Sequence, residues 1–137
     1  MKTGTFRTYT GEDGINISLY PPLDWGGARF SPLEPPRKTF FSRKAEQIDD
    51  AEYERQYKEQ ILDKLDPQEI YNALRGFVLL CWELPIFENR NIINKGTGFC
   101  HRHIVSRWLF ERLDIIIKEW DPSDEIKKNI TFAMPLF

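Results

Sequence analysis

Hydrophobic positions along the chain change period several times, and each change marks an element. In residues 5–20, TFRTYTGEDGINISLY, a Glu-Asp-Gly turn signal is followed by Ile15, Ile17 and Leu19 at period two, which predicts a strand. Residues 21–43 hold five of the nine prolines and a Gly-Gly pair, so they predict a long loop without helix. That loop is rich in aromatics, Trp25, Phe30, Phe40 and Phe41, which favour packing as an ordered flap. From 49 to 65 the period becomes helical: Tyr53, Tyr57, Ile61, Leu62 and Leu65 share one face, and acids crowd the first turn. Asp66-Pro67-Gln68-Glu69 restarts a second, short helix, with Asp66 as N-cap, Pro67 at the first helical position and Glu69 completing a capping box.

Phe77–Trp82 is a continuous apolar run between Gly76 and Pro85, the pattern of a strand buried on both faces. Residues 84–98 predict a second loop. From Cys100 the positions Ile104, Val105, Trp108, Leu109 and Leu113 describe an amphipathic helix, and Ile115–Ile117 a short strand. Asp121-Pro122-Ser123-Asp124 caps a last helix near 122–129, and the apolar tail suits an edge strand or a docked segment. Strands alternating with helices predict an α/β fold: one compact domain with a small, mostly parallel sheet flanked by helices and a long Pro-rich N-terminal loop. Within 1–137, residues 1–45 form the strand and loop, 46–120 the helix–strand–helix core, and 121–137 the C-terminal helix and tail.

Composition supports this picture. The chain has 137 residues, 41% apolar, with ten Phe, five Tyr and four Trp, enough to build a core without staples. No apolar run is long enough to span a membrane, and the N-terminus lacks the apolar stretch of a signal peptide. Two cysteines in such a chain are expected to stay reduced in a cytoplasmic setting. The net charge of −2 argues against a general affinity for nucleic acid, but charge is uneven. Arg29, Arg37, Lys38, Arg43 and Lys44 face a single acid, Glu34, across 28–44; Arg90, Lys95, Arg102 and Arg107 face none across 89–110; the segment 45–70 between them is strongly acidic. Two basic stretches that met in the fold would make an anion-attracting face. Left apart, they are ordinary solvated surface.

The candidate chemistry gathers at two cysteines. Cys81 and Glu83 stand at the carboxyl end of the expected central strand, where open α/β sheets bind ligands. Cys100, His101 and Arg102 open the next helix, where free backbone N–H groups attract anions and lower a thiol's pKa. These five residues are expected to share a crevice. Cys100, Glu83 and Cys81 are the candidates for catalysis. Arg102, His101, Arg37, Tyr20 and Trp25 are the candidates for holding a ligand, with Tyr20 and Trp25 closing over a planar group. Glu83 is expected to pair with Arg102 or Arg37. Only one of His101 and His103 is expected to face inward. The bland alternative makes Cys81 core packing and Arg102 a surface cation.

Several specific chemistries fail on spacing. A phosphatase-type loop needs Arg six positions after Cys, and Cys100 is followed at that distance by Ser106. A rhodanese-like loop needs several free amides around its Cys. Cys81, Cys100 and His103 are too few and too oddly spaced for a standard zinc site, so no metal is expected. A Cys81–Cys100 disulfide is geometrically feasible but not expected to persist in a reducing compartment.

The pattern Leu79-Leu80-Cys81-Trp82-Glu83, then a loop, then Cys100-His101-Arg102 with an apolar helix, resembles the domain of unknown function family 488. Ile17–Pro22 with Trp25, and Leu33-Glu34-Pro35-Pro36-Arg37, are similar to the front half of that family. The likeness spans roughly residues 6–118, with a longer loop at 84–98. It implies a compact α/β domain with Cys81 and Cys100 facing one site. The functional expectation is binding, with processing as a further step, of an anionic or nucleotide-like small molecule, and no cofactor is named by the sequence. The alternatives are a non-enzymatic module for a protein partner, with structural cysteines, and, ranked last, nucleic-acid binding through the basic stretches. No membrane is expected as a partner.

Overall fold

The computed structural model describes residues 1–82, 86–88, 91–93 and 100–123, the two short segments through their backbone alone. Among the described residues its main sheet has five strands, all parallel, in the spatial order Ala28–Arg29, Gly14–Asn16, Val78–Cys81, Lys2–Thr5, Lys118–Glu119. The strands are β1 (Lys2–Thr5), β2 (Gly14–Asn16), β3 (Ala28–Arg29), β4 (Val78–Cys81) and β7 (Lys118–Glu119). Between β4 and β7 in the chain, β5 (Ile86–Glu88) and β6 (Asn91–Ile93) pair antiparallel as a separate hairpin. Among the described residues there are four α-helices: α1 (Arg37–Lys44), α2 (Asp50–Gln60), α3 (Pro67–Leu74) and α4 (His101–Leu113). The α/β class with a small parallel sheet is therefore observed.

The central strand is β4, and all four of its residues are buried, as its unbroken apolar run requires. Alternation along it divides the core. Leu79 joins Ile15 and Ile17 of the second strand region in packing against Tyr53, Tyr57, Leu74, Ile104 and Leu109 from the helices. Val78 and Leu80 point the other way and meet Trp120, Phe6, Tyr9 and Trp25. One face of the sheet is thus covered by helices and the other by aromatic side chains from loops. Cys81 follows Leu79 by two residues, so it faces the helical side.

Local signals explain most boundaries. Asp49 caps α2 by accepting from the Glu52 N–H, and Asp66 caps α3 by accepting from Gln68 and Glu69, with Pro67 at the first position. The α2 periodicity runs on to 65, but the chain tightens into a 3-10 turn at Leu62–Lys64. Asp114 ends α4 in the left-handed region at φ 58°, a conformation a short polar side chain tolerates. At Gly14 an added Cβ would lie 2.5 Å from the end of the Leu80 side chain, so a larger residue there would force that buried side chain to shift.

Four sequence expectations are corrected. The stretch 21–43 is not free of helix: a 3-10 turn covers Ser31–Leu33, and α1 begins at Arg37 because the proline density ends at Pro36, which serves as N-cap. The strand after α4 is Lys118–Glu119, not 115–117, since Ile117 turns into the helical core before pairing begins. The segment 5–20 read as extended holds its expected strand only at Gly14–Asn16, and its first residue, Thr5, ends a strand that begins at Lys2. The expected loop 84–98 contains the β5–β6 hairpin. The expected last helix from 124 onward and the tail lie outside the described residues. Among those described, no helix is long and apolar enough to cross a membrane.

Candidate functional site

Strand order creates the site. β2 and β4 are neighbours, but the chain leaves β2 toward β3 on one side and leaves β4 toward β7 beyond β1 on the other. Such a reversal opens a crevice at the strands' carboxyl ends. Ile17 and Ser18 follow β2 there, Cys81 ends β4, and α4 begins beside them.

The backbone at these ends is held firmly. Asn16 is fully buried; its Oδ1 accepts from the Ser18 N–H at 2.9 Å and hydroxyl at 2.6 Å, and its Nδ2 donates to the Ser18 carbonyl. Phe6 N–H donates to the Cys81 carbonyl, and the Thr5 hydroxyl and the Arg7 Nε both donate to the Trp82 carbonyl. The first turn of α4 is enclosed: Cys100 is its N-cap, and every residue from His101 to Val105 is buried.

Cys81 and Cys100 are joined as a disulfide, with Cα atoms 7.4 Å apart. The expectation of two reduced, unbonded thiols is corrected here: a strand end and a helix start nineteen residues apart in sequence face each other directly. His101 Nε2 donates to the Ile17 carbonyl at 2.7 Å, which leaves its Nδ1 as an acceptor 3.7 Å from Cys100 Sγ. Burial outweighs that hydrogen bond and lowers the His101 pKa to about 4, so the ring is neutral at pH 7.

Arg102 is fully buried, not a surface cation. Its Nε and Nη2 donate to the two oxygens of Glu119 at 3.0 and 2.7 Å, and its Nη1 donates to Cys81 Sγ at 2.9 Å. Burial works against ionising Glu119, but the neighbouring His103 and the hydrogen bonds from Arg102 prevail and hold its carboxyl at about 2. His103 is buried as well, with Nε2 3.5 Å from Glu119, so both histidines face inward, contrary to expectation. The enclosure of the whole first turn is the reason. His103 turns to Glu119 and His101 to the sulfurs, so the histidine grouped with the two cysteines is His101.

A pocket of about 170 Å³ opens over this group. Its inner wall is Ser18, Cys81, Cys100 and His101, all buried; its mouth carries the exposed or half-buried Tyr20, Phe40, Arg43, Lys44 and Trp82. Tyr20 packs on Phe40 with ring centres 5.8 Å apart, and the Lys44 ammonium lies 5.7 Å from the Phe40 ring centre. Of the residues singled out from sequence, Cys81, Cys100, His101 and Tyr20 line this pocket. Arg102 lies behind the wall with its donors engaged by Glu119 and Cys81. Arg37 stands on the exposed start of α1, outside the lining. Trp25 packs on Phe6 on the opposite face of the sheet. Glu83 lies outside the described residues. The two basic stretches do not merge among the described residues: Arg102 is answered by Glu119 and Arg107 by Glu54.

Sequence reasoning missed Glu119, and it named Arg43 and Lys44 only as part of a basic stretch, not as site residues. Glu119 had a signal: it follows Ile117 at period two, so an acid sits in phase with a core position. Arg43 and Lys44 were hidden because a proline-rich loop gave no reason to aim them.

No family model matches the chain, and neither the curated proteins nor the solved structures searched contain a match.

Proposed function

We propose that the chain binds a small anionic molecule, nucleotide-like in pairing a planar group with a negative one, with the Cys81–Cys100 pair beneath it to process it. The observation that carries this reading is the pocket itself: a buried wall of two sulfurs and a neutral imidazole under a mouth of aromatic rings and two cations. Tyr20, Phe40 and Trp82 offer flat apolar surface, and Arg43 and Lys44 offer positive charge. Arg43 also pairs with Asp50 at 2.7 Å, so the ligand's negative group is assigned mainly to Lys44. The anion-holding role first given to Arg37 and Arg102 passes to this pair.

In the cytoplasm, the compartment this reading takes, Cys81 and Cys100 would be thiols. Arg102 Nη1 would favour the Cys81 thiolate, and His101 Nδ1 would accept a hydrogen bond from the Cys100 thiol. The resemblance to the domain of unknown function family 488 enters the proposal on the same two cysteines. The second reading, a module for a protein partner, draws on the exposed rings of Tyr20 and Phe41, 6.1 Å apart beside the pocket.

Calorimetric titration with adenosine monophosphate, inorganic phosphate and adenosine tests the proposal. The monophosphate should bind more tightly than phosphate or adenosine alone, and Lys44→Ala should weaken it about 5- to 10-fold, as loss of a partly exposed charge contact does. Equal binding by wild type and Lys44→Ala, or none by wild type, would count against it and leave the partner-module reading ahead.

A further inference from the structure

Three potential ligand atoms converge on the inner wall of the pocket. The Sγ atoms of Cys81 and Cys100 and Nδ1 of His101 all lie within 4.8 Å of one another on buried side chains. A tetrahedral zinc centre, with Zn–S near 2.3 Å and Zn–N near 2.0–2.1 Å, holds such atoms about 3.5–3.8 Å apart. Cys100 Sγ and His101 Nδ1 are already 3.7 Å apart.

Three further features suit a metal. The histidine donates its other ring N–H to a backbone carbonyl, at Ile17, which fixes the tautomer with a lone pair on Nδ1; metal-bound histidines are oriented in this way. The Cα atoms of Cys81 and Cys100 are 7.4 Å apart, beyond the roughly 4.4–6.8 Å usual between bridged cysteines and suited to two sulfurs meeting at an ion. Arg102 Nη1 donates to Cys81 Sγ, a hydrogen bond of the kind that supports a thiolate ligand. Charge also balances: two thiolates offset a divalent cation, and Arg102 offsets Glu119.

We propose that the reduced chain binds one zinc-class divalent ion through Cys81, Cys100 and His101, with the fourth coordination position open to the pocket. Binding exchanges two thiol protons for the ion, so two protons leave as it enters. The disulfide form has no thiolate to give and cannot bind, so the two states exclude each other. The inference stands apart from the anion reading, because its test uses no anionic ligand.

The test uses the untagged full chain, reduced by a phosphine without oxygen and titrated first with Co²⁺ and then with Zn²⁺. One equivalent of Co²⁺ should bind, with visible bands of a tetrahedral site and thiolate-to-metal charge transfer in the near ultraviolet. Zn²⁺ should displace it without further proton release, because the two thiol protons leave when Co²⁺ enters. The disulfide form should take up none, a control that needs no variant. His101→Gln should weaken Zn²⁺ more than about 100-fold, beyond the 10–100-fold that losing an outer partner costs, while His103→Gln stays within that outer range. Absence of Co²⁺ uptake by the reduced wild type, or a spectrum without thiolate bands, overturns the site. Unchanged affinity in a folded His101→Gln overturns the three-ligand assignment.

Discussion

One arginine stands behind the wall of the pocket and another at its mouth, and they are held differently. Arg102, behind the wall, has no exposed side-chain surface; three of its donors are fixed by Glu119 and Cys81. Arg43, at the mouth, keeps 29% of its side chain exposed and meets Asp50, itself 43% exposed. A cation without water must be matched by its neighbours, whereas a cation in water keeps charge to offer. The inner arginine is therefore fixed between Glu119 and Cys81, and the outer one stands with Lys44 at the mouth of the pocket.

The sharpest way to break this contrast is to remove the inner partner. Glu119→Ala leaves the Arg102 guanidinium buried with no carboxylate, a loss of about 3–5 kcal/mol of folding stability. Urea unfolding of the disulfide form at pH 7 measures it. A loss below about 1 kcal/mol would mean that water reaches Arg102 and that the two regions do not differ as described.

Acid should produce the next largest effect. The Glu119 carboxyl titrates near 2 in the folded chain against an ordinary value of 4.5. Its depressed pKa means that the unfolded chain binds the proton first. The stabilisation is thus complete above pH 4.5 and is lost as pH falls from 4.5 toward 2, about 3 kcal/mol in all. Comparing wild type with Glu119→Gln isolates the group, since other acids titrate in both. The stability difference should be flat above pH 5 and shrink steadily below 4.5. A difference that stays constant down to pH 2 would assign the low pKa elsewhere.

The same contrast explains what the sequence made legible. β4 announced itself because a strand buried on both faces is apolar at every position, and Asp66-Pro67 marked α3 because capping is local chemistry. The meeting of Cys81 with Cys100 followed from one rule about strand ends and helix starts. The partner of Arg102 did not follow, because Glu119 reaches it across the sheet from β7, seventeen residues on, and no local pattern encodes that pairing. The inward turn of both His101 and His103 was hidden likewise: helical periodicity assumes one solvated side, and the start of α4 has none. Lys44 and Arg43 reach the pocket only because α1 forms after Pro36, in a stretch whose composition pointed to loop.

The smallest effect should come from the outer arginine's partner. Asp50→Ala removes the 2.7 Å contact to Arg43 Nε and one acid from the first turn of α2. Both groups are solvated, so water replaces the carboxylate at little cost, and the expected loss is about 1 kcal/mol or less. The consequence for the pocket has the opposite sign. With Asp50 gone, more of the Arg43 charge is directed to the mouth, and adenosine monophosphate should bind a few-fold more tightly at low salt, with the gain fading as salt screens it. Urea unfolding and calorimetry on the one variant read both quantities. A loss of 3 kcal/mol would make the outer pair as structural as the inner one. Weaker binding would show that Asp50 positions Arg43 for the ligand rather than competing with it.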